Sequence, residues 1–408
     1  METNESTMRP LQGLRVLELC EEIAGPYCCM QLADAGADVI KVEPVNGDWT
    51  RSLGSKTKSE SALFLALNRG KRSIVVDAGQ EKGREIIYKL TEKADVIVEA
   101  FRPGEAKRMG FSYEQVQLFA PEIVYCSISP FGSVGPYKDR SASELELQAL
   151  SGCFEYLGEP GEPPVRLGLD IAAVTTGLYA FTGILTGVYY KRKSGLGQKI
   201  EISMFAAMMA SSTLKLGSHS DPDFWGGFHL TGPFDHAEEG YKTKDKHLLW
   251  GMPVLPDKQK KAWVSFCKQV GLEGLLEDPY FLEKGPRVIG IGKDAQEYKP
   301  LFETAFENKT ADELQNIIES LGGYAGVFKT YEEVLSESQV QAVEMVKEIE
   351  HPVAGNIKVV GIPWKLEKTP CDIKSPAPTL GQHTDEILRE LQYSSELIDT
   401  LRREKVIA

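Results

Sequence analysis

An α/β fold around a mainly parallel sheet is predicted by three features of this 408-residue chain. β runs and helical stretches alternate through the first hundred residues, the runs are short, and glycine or proline stands at their junctions. Leu14 to Leu19 (LRVLEL) is the first strand. Gly25-Pro26 then opens a helix reaching about Ala35, because proline suits a first helical turn, and Gly36 ends it. Val39 to Val42 gives the next strand and Ser73 to Val76 another. Lys82 to Ala94 (KGREIIYKLTEKA) carries apolar residues at helical spacing. Asp95 to Phe101 and Ile123 to Ser129 complete the set. Such units wind right-handed into a Rossmann-like large domain that binds ligands at the carboxyl ends of its strands.

Further along, Ile171 to Tyr190 is rich in Ala, Thr and Leu and has small residues at Gly177 and Gly183. It stops at Lys191-Arg192-Lys193 with Gly195 behind, the expected end of a helix. Ser218 to Gly240 loses periodicity and reads as a domain boundary. The expected division is a large domain over 1–217, a linker over 218–240, a small mixed α+β domain over 241–331 and a closing segment over 332–408. Within that last segment Pro352 to Trp364 resumes short β runs, and Asp385 to Arg403 reads as one polar amphipathic helix.

Composition narrows the function. Lys plus Arg number 46 against 59 Asp plus Glu, a formal net charge of −13, which is the wrong balance for a nucleic-acid or anionic-membrane binder. Seven cysteines (Cys20, Cys28, Cys29, Cys126, Cys153, Cys267, Cys371) form an odd, scattered set without C-x-x-C spacing. Neither a disulfide framework nor a zinc site is indicated, and a cytoplasmic location is expected. The polar start METNESTMRP lacks a signal-peptide pattern. The most apolar run, Leu178 to Tyr190, falls short of the ~20 residues that cross a bilayer and reads as a buried helix.

Common enzyme signatures are missing. LELCEEIAGPY stands where a G-x-G-x-x-G would follow the first strand, and there is no Walker A sequence, so nicotinamide and P-loop chemistry lose their support. His229 and His236 share a loop without a third ligand and read as surface residues, so no metal is expected. Ser129-Pro130-Phe131-Gly132 is not a nucleophile elbow.

A series of other segments occurs in order along nearly the whole chain. They are LQGLRVLELCEEIAGPYCCMQLADAGADVIKVEP (Leu11 to Pro44), GDWTR (Gly47 to Arg51), LNRGKRSIVVD (Leu67 to Asp77) and FRPGEAKRMGF (Phe101 to Phe111). SISPFGSVGPYKDR (Ser127 to Arg140), LQALSG (Leu147 to Gly152), KSGLGQKIEISMF (Lys193 to Phe205) and PAPTLGQHTDEIL (Pro376 to Leu388) follow. In this register they resemble the family III, or CaiB/BaiF, CoA-transferases. The resemblance implies a large domain made from both ends of the chain, a small domain between linkers, and two subunits interlocked like rings. It also implies transfer of CoA from an acyl-CoA to a free carboxylic acid through an aspartate nucleophile, with CoA thioesters as substrates and no metal.

The resemblance also marks a gap. The aspartate belongs in a stretch like R-x-G-x-x-x-x-D-x-x-x-G, which here reads RLGLDIAAVTTG (Arg166 to Gly177) and places Ala173 at the aspartate position. Asp170, three residues earlier, is the only nearby acid, and an acid just before a helix commonly serves as its N-cap. Phe101, Arg108, Met109 and Val76 are the expected CoA contacts, with Arg108 on phosphate. Ala100 and Gly79 replace the asparagine and lysine that family members bring to CoA, and Glu21 and Glu22 add negative charge beside that site. Lys71 and Arg72 read as a solvated turn.

Three functions follow. The first is a non-catalytic subunit whose homologous partner supplies the aspartate. The second is a self-sufficient transferase using Asp170, or an Asp-to-Ala variant of such an enzyme. The third is an acyl-CoA racemase, which would need an acid and base pair at this helix start, although no histidine occurs in the first 218 residues.

Overall fold

The computed structural model describes residues 8–154, 163, 165–213, 240–252, 256–284 and 293–408. Two compact units are present, Met1–Thr213 with Gln341–Ala408, and Leu214–Val340. The 218–240 segment lies almost wholly outside the described residues.

In the first unit the chain runs β1 (Arg15–Leu19), α1 (Ala24–Asp34), β2 (Asp38–Glu43), β3 (Lys56–Thr57), β4 (Glu60–Ser61), α2 (Ala62–Leu67) and β5 (Arg72–Val75). It continues through α3 (Glu81–Glu92), β6 (Val96–Glu99), α4 (Glu105–Met109), α5 (Tyr113–Val116), β7 (Val124–Ser129), α6 (Glu144–Leu150), α7 (Ile171–Ser194), β8 (Gln198–Ser203) and α8 (Met204–Ser211). Six strands pair in parallel in the order β5-β2-β1-β6-β7-β8. The sixth, β8, is a strand the sequence reading missed, although the alternation in QKIEIS carries the signal. From β1 the chain first builds outward to one side through β2 and β5, then crosses to build β6, β7 and β8 on the other. The crevice at the carboxyl ends of β1 and β6 is therefore the topological switch point.

Strand alternation splits the core in two. Leu17, Ile40, Ile74, Ile97 and Tyr125 face α3 and the C-terminal helices, whereas Val16, Val39, Val98 and Cys126 face α1 and α7. At 24 residues, α7 is long and apolar enough by length and composition to span a bilayer, which corrects the reading of its apolar run as too short. It packs on α1, β7 and β8 as a partly buried core helix.

The C-terminal segment returns to this unit as an antiparallel hairpin, β12 (Val346–His351) and β13 (Gly355–Val360), and two helices, Thr384–Glu390 and Ser395–Arg403. The hairpin begins earlier than the expected Pro352 to Trp364 run. The single tail helix expected from Asp385 is broken, because Gln392 takes a left-handed φ of 65° and Ser394 caps a new helix. In the second unit, β9 (Tyr241–Lys242), β10 (His247–Gly251) and β11 (Tyr324–Val327) form an antiparallel sheet over an aromatic core of Tyr241, Trp250, Trp263, Phe266, Phe302 and Phe306.

Candidate functional site

The start of α7 is set by a carboxylate from α6. Ala172 N–H donates to Glu144 Oε1 at 2.8 Å and Ala173 N–H to Glu144 Oε2 at 2.9 Å. Gln148 Nε2 donates to Glu144 Oε1 at 2.6 Å and to the Leu169 carbonyl at 3.0 Å. Glu144 thus satisfies free donors at the positive end of the helix dipole. Asp170 occupies the N-cap position, but its exposed side chain makes no capping bond. The donors an N-cap side chain would use are those of the second and third helical residues, and Glu144 already holds both. The capping role expected of Asp170 therefore belongs to Glu144, which no local pattern marks because its partners lie 28 and 29 residues on.

Ala173 is 4% exposed and belongs to the apolar cluster of Cys20, Ala24, Cys28, Val98, Cys126 and Ile128. Burial pushes the thiols of Cys20, Cys28 and Cys126 up, so they act as small neutral packing groups. One turn beyond Ala173, a Cβ on Gly177 would come within 2.8 Å of both the Ala24 carbonyl and the Tyr27 ring. That glycine lets α7 lie directly on the first turn of α1.

The loop from β1 to α1 runs through Cys20 to Ile23 at the switch point. Burial raises the carboxyls of Glu21 and Glu22; Asp48 adds to the effect at Glu21, while Arg102 opposes it at Glu22. Glu22 adopts a left-handed φ of 68°, unusual for a residue with a side chain. The main correction to the sequence reading concerns Lys71 and Arg72, which are not a solvated turn. Lys71 is fully buried against Glu18. Arg72 pairs with Asp38 at 2.7 Å, Glu390 at 2.6 Å and Glu386 at 3.0 Å. Both sit where β5 enters the sheet, so tertiary partners replace the water that an isolated Lys-Arg pair would seek.

A cavity of about 680 Å³ opens at the ends of β6, β7 and β8. Glu99, Tyr125 and Ser127 line its floor, and Arg102, Lys107 and Lys138 are among the residues at its rim. Burial raises the Glu99 carboxyl, partly offset by bonds from Ser127 and the Phe101 N–H. Those floor residues alternate with Val98 and Cys126, so the cavity lies on the face of the sheet opposite Ala173.

Of the expected CoA contacts, Phe101 lines this cavity. Met109 packs half-buried against the core. Arg108 is exposed and pairs with Glu105 at 2.9 Å. Val76 is 2% exposed, bridged to Ile407. The structure does not gather these four into one pocket. Among the described residues, no group of three His, Cys, Asp or Glu could hold a metal ion.

Comparison with known proteins places this arrangement. The sequence profile of CoA-transferase family III matches residues 11–384. The chain is 33% identical to succinyl-CoA:glutarate CoA-transferase of Mus musculus, over 97% of this chain and 89% of that protein. It is 30% identical to formyl-CoA:oxalate CoA-transferase of Afipia carboxidovorans, over 97% and 96%. A solved CaiB/BaiF family protein from Brucella suis superimposes with a TM-score of 0.83 at 28% identity, covering 94% of this chain and all of that one. A profile spanning most of the chain and relatives matched over nearly their full length leave one conclusion: the chain belongs to CoA-transferase family III, the CaiB/BaiF family.

Proposed function

We propose that this chain is the non-catalytic subunit of a heteromeric family III CoA-transferase, paired with a homologous chain that carries the nucleophilic aspartate. The observation that carries the reading is the methyl group of Ala173 at the start of α7, with its N–H already held by Glu144. In the reaction the partner's aspartate attacks the donor thioester, forming a mixed anhydride and expelling CoA thiolate. The thiolate then attacks the aspartyl carbonyl, which releases the donor acid and leaves an aspartyl-CoA thioester. The acceptor carboxylate attacks the aspartyl carbonyl, forming a second mixed anhydride and expelling CoA thiolate, and that thiolate attacks the acceptor's carbonyl to give the product thioester and free the aspartate. A methyl side chain has no oxygen with which to form either intermediate.

The donor in this reading is succinyl-CoA and the acceptor a dicarboxylic acid. The names of the mouse and Afipia relatives, with glutarate and oxalate as acids, support that class. Within it we favour (R)-benzylsuccinate, an acid of anaerobic toluene breakdown, because the aspartate-lacking subunit of succinyl-CoA:(R)-benzylsuccinate CoA-transferase has the same departure from the family. The subunits interlock in the family manner, with Phe101 and the exposed Arg108 of this chain at the CoA side and Met109 and the buried Val76 packed behind them in the core. Seven free cysteines fit a reducing cytoplasm. Native mass spectrometry of the purified complex tests the reading. A second chain of similar mass with aspartate aligned to Ala173 is expected, and a homodimer that transfers CoA unaided overturns it.

Asp170 supports a second reading, in which this chain is its own nucleophile, because its carboxylate is exposed and makes no capping bond. Three residues of helix still separate it from position 173, about 4.5 Å along the axis, where displacements of about 1 Å already matter. Hydroxylamine trapping during turnover decides between them. A hydroxamate at Asp170 establishes the second reading, and an unmodified peptide removes it.

A further inference from the structure

We propose that Lys41 and Lys71 are positioning residues of this site, holding the β1–α1 connection by main-chain carbonyl oxygens at its start, Cys20, and in the first turn of α1 that follows it, Pro26. Both ammonium groups are fully buried and share one counter-ion, Glu18, at 3.0 Å from Lys41 and 2.8 Å from Lys71. Lys41 Nζ also donates to the Cys20 carbonyl at 2.7 Å and lies 2.8 Å from Asp48. Lys71 Nζ donates to the Pro26 carbonyl at 3.0 Å and to Asn68 Oδ1 at 2.8 Å. Each ammonium has three donors and three acceptors in reach, so neither is free to reorient. Cys20 and Pro26 bracket the segment that holds Glu21, the left-handed Glu22 and the Ala24 carbonyl against which α7 is seated.

Stability alone does not account for this cluster. Burying an ion pair commonly gains nothing over a well-packed apolar pair, because desolvation offsets the attraction. Two lysines tied to the same carboxylate and to main-chain oxygens instead fix a backbone path. That path forms the wall of the crevice between β1 and β6, where the Cβ of a residue at Gly25 would lie 2.5 Å from Cys20 Sγ and 4.0 Å from Ala100. The role rests on the proposed function, in which this chain stands at the CoA side of the complex.

The test separates charge balance from positioning. Glu18, Glu43, Asp48 and, at 3.9 Å from Arg51, Glu60 face Lys41, Lys71 and Arg51, four acidic groups against three basic ones. Lys71→Met removes one positive charge from this cluster and is expected to destabilise. Lys71→Met with Glu18→Gln restores the parent's net charge while the Lys71 bond to the Pro26 carbonyl stays lost. In that double variant, measured in its native complex, the melting temperature recovers, but amides 20–27 exchange about tenfold faster and CoA affinity falls about tenfold. Wild-type exchange across that segment overturns the proposal. If the parent complex binds no CoA, the functional reading fails and the exchange result still decides the positioning. Should the double variant not fold, Asn68→Ala takes one acceptor from Lys71 without changing a charge. About threefold faster exchange of amides 20–27 then supports the proposal, and unchanged exchange overturns it.

Discussion

Glu144 and Ala173 meet through one hydrogen bond, and each makes a distinct prediction at the scale of a single side chain. Glu144→Ala leaves the Ala172 and Ala173 N–H groups without their acceptor, and loss of such a cap costs about 1–2 kcal/mol. Urea denaturation measures that loss, and Glu144→Gln, which keeps an acceptor oxygen, should recover part of it. Ala173→Asp puts a carboxyl at a position 4% exposed in an apolar cluster. Burial raises its folded-state pKa above the unfolded value, so the folded state holds the proton over a wider pH range and stability falls as pH rises. The variant is expected to be less stable than the parent at pH 7 by about 1–3 kcal/mol, with the gap closing toward pH 4, and to transfer no CoA without a partner chain. The missing nucleophile was legible because a motif fixes position 173 by counting. Glu144 was not, because nothing near it in sequence shows that its oxygens cap a helix beginning 27 residues later.

Among the elements, the edge strand β5 shows how side chains can stand in for a seventh strand. Ser73 N–H donates to His383 Nδ1 at 3.1 Å, Val75 N–H donates to Thr384 Oγ1 at 3.2 Å, and His383 N–H returns a bond to the Ser73 carbonyl at 3.0 Å. Groups left unpaired on such an edge would invite another chain. The GQHTDEIL signature therefore has a structural job in this protein. His383 accepts through Nδ1 and must be neutral there; burial pushes its pKa down, with Arg72 and Lys374 in support and Glu386 and Asp38 against. A histidine whose folded pKa lies below the unfolded 6.5 stabilises fully above that value and less as pH falls through it. Stability between about pH 7.5 and 5.5 should fall by about 1 kcal/mol more in the parent than in His383→Gln, as read by urea denaturation. His351, also pushed down by burial, is common to both proteins and cancels in the difference. Equal slopes would show that His383 takes up its proton in the folded state as readily as in the unfolded chain, so that its pKa is not lowered by folding.

Over the whole molecule, both ends of the chain build one unit, so its stability depends on residues more than 300 apart in sequence. Ile398, Leu401, Val406 and Ile407 are each no more than 2% exposed in the core that covers β5 and α3. At about 1.5–3 kcal/mol per buried side chain, these four together match the whole stability of a typical domain. A chain ending at Ser394 should therefore lose cooperative unfolding, seen as a flattened thermal transition in circular dichroism. Native-like melting would show that the tail is an accessory. The sequence by itself determined the α/β class, five of the six parallel strands, the family and the alanine at position 173. Each of these is written in local periodicity or in a motif whose spacing needs no partner. Only the tertiary structure decided that Lys71 and Arg72 are paired rather than solvated, that Glu144 caps α7, and that the cavity lined by Glu99, Tyr125 and Ser127 lies across the sheet from Ala173. Those outcomes depend on which distant groups are brought within about 3 Å of one another, and burial reverses what a charged side chain would do in water.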